Sequence, residues 1–287
     1  MSFDGTEIAY RAFGQGRTIL LCNGLGGGWE AWSHQIHYFR DRYRLLSWDY
    51  RGLYASSPPG DPEAVSIVDH ARDALHLLRE EGVDRAALVG WSMGVQVALE
   101  TFRLAPERVA SLALVNGVAG RPWDFVFNSS LVGRLLPPFL RGFRSMPRTI
   151  QGLVRQATRI PRPGDWVKRV GLAAGTLDEQ LTGELVAKLG GLDTERFVRL
   201  LERMGEHEGW DLLPLIDVPT LIIAGTRDVF TPSSAAERMA RRTPGAEVML
   251  IPGATHYAAL EYPEMINLRL EKFFRERGYE PTPAGTG

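Results

Sequence analysis

Short apolar runs alternate along this chain with stretches whose apolar residues recur every three or four positions, the pattern of buried strands covered by helices. Thr18–Cys22 (Thr-Ile-Leu-Leu-Cys) carries no charge and runs into Asn-Gly-Leu-Gly-Gly-Gly, so it reads as a buried strand ending in a glycine-rich loop. Arg44–Trp48 leads in the same way into Asp49-Tyr50-Arg51-Gly52. Ser66 and Asp69 have the spacing of a capping box, and Ala71, Ala74, Leu75 and Leu78 then recur at helical spacing until Gly82. Residues 86–90 predict the next strand, 95–104 a helix stopped near Pro106, and Val109–Val115 another strand. Strands are also expected at 219–224 and Glu247–Ile251, and a last helix at about 263–277.

The rhythm changes over residues 121–210. Pro and Gly interrupt it, no strand pattern is visible, and short amphipathic segments such as 181–189 and 195–204 take over. The reading is therefore an α/β fold, a mostly parallel central sheet flanked by helices, with a helical insertion between two strands. Residues 1–120 and 211–278 are expected to form the core, 121–210 the insertion, and 279–287 a frayed, disordered tail.

Composition narrows the function classes. The 287 residues are 44% hydrophobic and 23% charged, which suits a globular chain with a sizeable core. A formal charge of −1 gives no reason to expect nucleic-acid binding. The single cysteine, Cys22, reads as a small buried strand residue and excludes an intramolecular disulfide. No 18-residue apolar run is present and no basic leader precedes an apolar segment, so the expectation is a cytoplasmic protein without a membrane span. The neutral total hides a contrast: residues 121–169 contain ten Arg or Lys and two Asp, a local charge of +8. That segment could make weak contact with anionic lipid or guide an acidic ester, although a solvated arginine-rich face accounts for the same charges.

Gly90-Trp91-Ser92-Met93-Gly94 carries the chemistry. It lies where a strand turns into a helix, the context a G-x-S-x-G elbow requires. Small residues two before and two after let neighbouring backbone approach, and the Ser92 hydroxyl is left exposed at a helix N-terminus. A serine hydroxyl needs a base, and the base an orienting carboxylate. His34, His37, His70 and His76 fall in predicted helices and read as surface or helix-face residues, and His207 in a charged run reads as solvated. His256 instead follows the last strand through Pro252-Gly253-Ala254-Thr255, at the sheet edge where ligands gather in open α/β folds. Asp228 follows the preceding strand, giving the order Ser, acid, His; Asp124 is the other candidate acid.

These motifs resemble the α/β-hydrolase fold superfamily, over residues 3–275. The resemblance rests on the loop Asn23-Gly24-Leu25-Gly26-Gly27, on Asp49-Tyr50-Arg51-Gly52 with Ser56, on the elbow, and on the Asp228 and His256 loops. It implies a triad of Ser92, Asp228 and His256, oxyanion donors at the main-chain N–H groups of Leu25 and Met93, and a helical cap at 121–210. A serine at the nucleophile position disfavours the haloalkane dehalogenase and epoxide hydrolase branches, which use an aspartate. Two positions depart from the family pattern. Asn23 stands where relatives carry His, so an amide must brace the loop, and Tyr54 stands where a Gly is common.

Trp29, Trp32 and Trp91, with Phe125 and Phe139 of the insertion, are candidate pocket walls, while Trp29 and Trp32 serve equally well as helix packing. Phe127, Leu131, Leu135, Leu136, Leu140 and Phe143 could likewise roof an apolar pocket or form the insertion's own core. The glycine-rich loop lacks the Gly-Lys-Ser/Thr ending of a phosphate-binding loop. A shifted dinucleotide register, Gly26, Gly28 and Ala31 with Asp49, fits only the relaxed pattern and leaves the triad unexplained. The expectation is a serine hydrolase that uses no cofactor or metal and cleaves a small carboxylic ester, lactone or thioester with an apolar part. Carbon–carbon bond hydrolysis, cofactor-free perhydrolysis and a ligand-binding receptor are the rivals. The sequence leaves the oligomeric state open.

Overall fold

A computed structural model describes residues 1–126, 130–145 and 192–281. The strands are β1 (Tyr10–Phe13), β2 (Thr18–Cys22), β3 (Arg44–Trp48), β4 (Ala86–Trp91), β5 (Val109–Val115), β6 (Thr220–Gly225) and β7 (Glu247–Ile251). They form one sheet in the order β1-β3-β2-β4-β5-β6-β7, with β1 antiparallel to β3 and every other pairing parallel. Six of the seven follow the sequence reading to within a residue or two at either end. β1 was not visible in the pattern because it is a short, mostly exposed edge strand.

Every residue of β2, β4 and β6 is buried, as expected of strands covered on both faces. Alternate side chains go to opposite layers. Leu20, Cys22, Leu88, Leu112 and Ile222 pack with α2 (Ile67–Glu80), α3 (Met93–Leu104) and Met239 of α6 (Ser233–Arg242). Ile19, Leu21, Val89, Ala113 and Ile223 pack with α1 (Ser33–Phe39) and α7 (Pro263–Glu276). Each large apolar side chain buried in these layers contributes about 1.5–3 kcal/mol. The predicted capping box is present: Ser66 Oγ accepts from Asp69 N and the Asp69 carboxylate accepts from Ser66 N. α6 is a helix that the sequence pattern did not reveal.

Between β5 and β6 the described residues contribute α4 (Ser130–Ser145) and α5 (Thr194–Glu206), and no strand. A cleft of about 570 Å³ beside them is lined by Trp123, Pro137, Leu140, Arg141, Arg203 and Glu206 among others, and by none of Ser92, Asp228 or His256. The amphipathic segment 195–204 lies in α5, whereas 181–189 and most of the basic segment 121–169 lie outside the described residues.

Two expectations are corrected. Tyr279 is docked: its hydroxyl donates to Thr18 O at 2.6 Å and accepts from Ala87 N at 3.2 Å, and its carbonyl accepts from the Tyr43 hydroxyl. The aromatic ring thus pins residue 279 against the sheet, and of the expected tail, residues 282–287 lie outside the described residues. His207 is buried, not solvated. Its Nε2 lies 3.1 Å from Glu100 Oε2 on α3, and burial of the pair follows from α5 ending against that helix. Among the helix-borne histidines, His70 is fully buried against the Tyr50 ring.

Candidate active site

The elbow is built from glycines because other backbone occupies the space a side chain would need. A Cβ on Gly90 would stand 2.4 Å from Gly94 O, and one on Gly94 2.0 Å from Cys22 O and 2.9 Å from Asn23 O. The first turn of α3 can therefore lie directly against the loop that carries Leu25. Ser92 sits between the two glycines at φ 56°, a left-handed conformation that non-glycine residues adopt only at a cost of about 1–3 kcal/mol. Its N–H donates to Val115 O at 3.1 Å, which fixes the elbow to the end of β5.

His256 Nε2 lies 2.9 Å from Ser92 Oγ, and its Nδ1 lies 2.9 Å from Asp228 Oδ2. An ionised carboxylate can only accept, so Nδ1 carries the proton and Nε2 is free to accept from the Ser92 hydroxyl. Asp228 and His256 are buried while Ser92 is partly open. Burial alone would push the Asp228 carboxyl up, but the His256 ring and the Thr231 donors outweigh it and hold the group below its ordinary value. Oδ1 accepts from Phe230 N and Thr231 N, both at 2.9 Å, and Oδ2 also accepts from Thr231 Oγ1 and Asn116 Nδ2, both at 2.7 Å.

The His256 loop is held from several sides. Trp91 Nε1 donates to His256 O at 2.8 Å, Thr255 N donates to the buried Glu261 carboxylate at 2.7 Å, and Asn116 Nδ2 donates to Thr255 O at 3.1 Å. Gly225 has no Cβ, which would lie 2.3 Å from Ala254 O, so the acid and base loops pack backbone to backbone.

Asn23 does brace its loop. Nδ2 donates to Trp48 O at 2.7 Å, Oδ1 accepts from Trp32 Nε1 at 2.9 Å, and its own carbonyl accepts from the Tyr50 hydroxyl at 2.6 Å. Tyr54 adopts φ 50° and donates its hydroxyl to Gly26 O, so both departures from the family pattern end up supporting the glycine-rich loop. Arg51 is a buried clamp: its guanidinium makes a two-pronged bond to Asp73 at 2.8 and 2.6 Å and reaches Asp4 at 2.8 Å.

The structure gathers Ser92, Asp228 and His256 and sets Leu25 and Met93 on the adjacent loop and helix start. It does not gather all the proposed pocket walls. Trp91 lies behind the His256 ring, with centroids 5.7 Å apart, and Trp32 is core. Trp29 packs on Phe13 and borders a separate hollow with Trp48 and Tyr54. Phe125 packs on Trp210, and Phe139 is 63% exposed on α4, where Leu140 turns inward and Leu136 packs against the core. Asp124 is exposed and ion-paired with Arg121 at 3.0 Å, away from His256. Phe127 and the Phe143 side chain lie outside the described residues. Phe230, 5.0 Å from the His256 ring, Asn116 and Thr231 were missed by sequence reading; a polar residue directly after the apolar run of β5 was the only signal for Asn116.

The model of the alpha/beta hydrolase fold family matches residues 17–263. The chain belongs to that family. It is accordingly an enzyme of the hydrolase class. An Azorhizobium caulinodans protein named "Putative carbamate hydrolase RutD" is 28% identical over 270 residues, covering 94% of this chain and 96% of that one. An esterase from Thermogutta terrifontis superposes with a TM-score of 0.73 at 24% identity, covering 95% of this chain and 94% of that one. An esterase from Exiguobacterium antarcticum gives 0.78 at 19% identity, covering 96% and 97%. At those identities the two solved structures speak for the fold. Among the described residues no helix is long and apolar enough to cross a membrane.

Proposed function

We propose that the protein is a serine hydrolase that cleaves a carboxylic ester, lactone or thioester with an apolar part through an acyl-enzyme on Ser92. Ser92 Oγ attacks the carbonyl carbon while its proton passes to His256 Nε2. The tetrahedral oxyanion is held by the N–H groups of Leu25 and Met93, each worth about 3–4 kcal/mol to the transition state. On collapse the alcohol leaves with the proton from Nε2. Water then gives its proton to Nε2, attacks the acyl carbon, and Ser92 leaves reprotonated. Asp228 keeps the ring in the Nδ1–H tautomer and balances the imidazolium charge. In this reading α4 and α5 belong to a cap on the inserted segment, and the scheme uses no cofactor.

The observation that carries the reading is the unbroken pair of 2.9 Å contacts from Ser92 through His256 to Asp228. The test is labelling by a fluorophosphonate and turnover of short p-nitrophenyl esters. Wild type should do both and Ser92→Ala neither; an alanine variant as active as wild type would sink the reading.

A carbamate is the second substrate class, supported by the full-length likeness to proteins named as carbamate hydrolases. The same steps apply: the alcohol leaves with the proton from His256 Nε2 and a carbamoyl-enzyme remains on Ser92, or the amine leaves with that proton, and water then releases the acyl group. Comparing aryl esters with aryl carbamates on one preparation separates the two by kcat/KM.

A further inference from the structure

We propose that Asn116 is a positioning residue that aligns the acid and the base of the Ser92 site at once. This rests on the hydrolase reading above and adds to it a residue outside the triad.

Asn116 is fully buried and directly follows β5, whose last carbonyl, on Val115, takes the Ser92 N–H. Its own N–H donates to Ile223 O at 2.8 Å, which seats it between β5 and β6. From there its NH₂ group forks, one hydrogen to Asp228 Oδ2 at 2.7 Å and one to Thr255 O, next to His256, at 3.1 Å. Both partners are acceptors, so the NH₂ and not the carbonyl oxygen must face them. Residues 115 and 116 therefore touch the nucleophile, the acid and the neighbour of the base. The backbone at 116 is at φ 45°, a conformation that Asn and Gly tolerate and that aims the amide into the site.

The oxygen it bonds is the one that faces His256 Nδ1. Of Asp228's two oxygens, Oδ1 is held by main-chain N–H groups, but the direction of Oδ2 depends on the side chains of Asn116 and Thr231. Losing Asn116 lets the carboxylate rotate and releases Thr255 O, so the ring drifts from Ser92 Oγ. A misplacement of about 1 Å can cost 100-fold in rate. Around the ring the charged group is Asp228, with Trp91, Phe230 and Tyr257 supplying aromatic walls.

Two variants test this. Asn116→Gly keeps the backbone conformation and removes the amide; kcat should fall about 10- to 100-fold with KM within about twofold, because the loss is confined to the transition state. Asn116→Asp is isosteric but faces two acceptors, so the introduced carboxyl and that of Asp228 hold one proton between them, and its O–H replaces the missing donor only while that proton stays bound. The kcat/KM of this variant relative to wild type should therefore fall as pH rises from 5 to 8, a trend that a merely structural role does not produce. The rate of fluorophosphonate labelling at Ser92 is followed in parallel. Should Asn116→Gly fail to fold, the pH trend of Asn116→Asp decides the matter. Folded variants with wild-type kcat, labelling rate and pH profile would overturn the role of Asn116 alone. A wild-type chain that neither labels nor turns over esters or carbamates would overturn the hydrolase reading, and this inference with it.

Discussion

Gln96 Nε2 donates to the main-chain carbonyl of Met204 at 3.0 Å, and the same NH₂ group reaches Gly120 O at 2.9 Å. Gly120 lies where the chain leaves β5 for the insertion, and Met204 lies in the last turns of α5, by which it returns. Gln96 stands one turn beyond Ser92 on α3, and one turn further Glu100 holds His207. The helix that presents Ser92 thus also ties down both ends of the inserted segment. Gln96→Leu leaves two buried carbonyls without their donor, with an expected cost of about 1–3 kcal/mol. Urea unfolding reads this directly, and an unchanged midpoint would mean that the contact does not hold the segment.

Asp228→Asn tests the acid. The amide leaves the shape nearly intact but can no longer select the Nδ1–H tautomer, so kcat should drop about 10⁴-fold with little change in KM. Steady-state kinetics beside a thermal melt checks it. A decrease under tenfold would reduce Asp228 to a residue that merely caps its own loop.

Gly94→Ala tests the close approach of the Leu25 loop. The new Cβ would sit 2.0 Å from Cys22 O, and backbone cannot yield that distance without moving the loop. Loss of one oxyanion donor corresponds to a fall of about 100- to 1000-fold in kcat. If the alanine variant keeps wild-type kinetics, the loop is not positioned through this contact.

His70→Phe tests a consequence for stability. Burial, and secondarily the Arg51 charge, lower His70 from its ordinary 6.5 to about 3. Between those values the unfolded chain binds a proton that the folded chain refuses. The contribution is therefore fully present above pH 6.5 and is lost as pH falls, by up to about 1.4 kcal/mol per pH unit. Denaturant midpoints of wild type should fall from pH 6.5 to 4.5 more steeply than those of His70→Phe, which has no proton to take up. Parallel slopes would show that other groups govern acid stability.

Much of this protein is local and so legible in the residues themselves. Strands buried on both faces must be apolar throughout, which marks β2, β4, β5 and β6. A strand turned sharply into a helix needs glycines at 90 and 94, which marks Ser92. Strand-end loops mark Asp228 and His256. Asn23 and Tyr54 announce an altered loop because they depart from a pattern.

What the residues could not reveal depends on contacts between distant positions. Asn116 meets Asp228, 112 residues away, only because β5 lies beside β6, and its positive φ leaves no trace in the pattern of polar and apolar side chains. His207 reads as solvated until α5 docks on α3, and Tyr279 as frayed until its ring finds Thr18 and Ala87. The strand-end position already favours Asp228 over Asp124, but the contact of Asp228 with the His256 ring, and the pairing of Asp124 with Arg121, are seen only once the sheet is packed. Composition and periodicity determined which layers and turns this chain could build. The packing of the sheet decided which polar groups meet, because a hydrogen bond depends on a few tenths of an ångström that no spacing along the chain can encode.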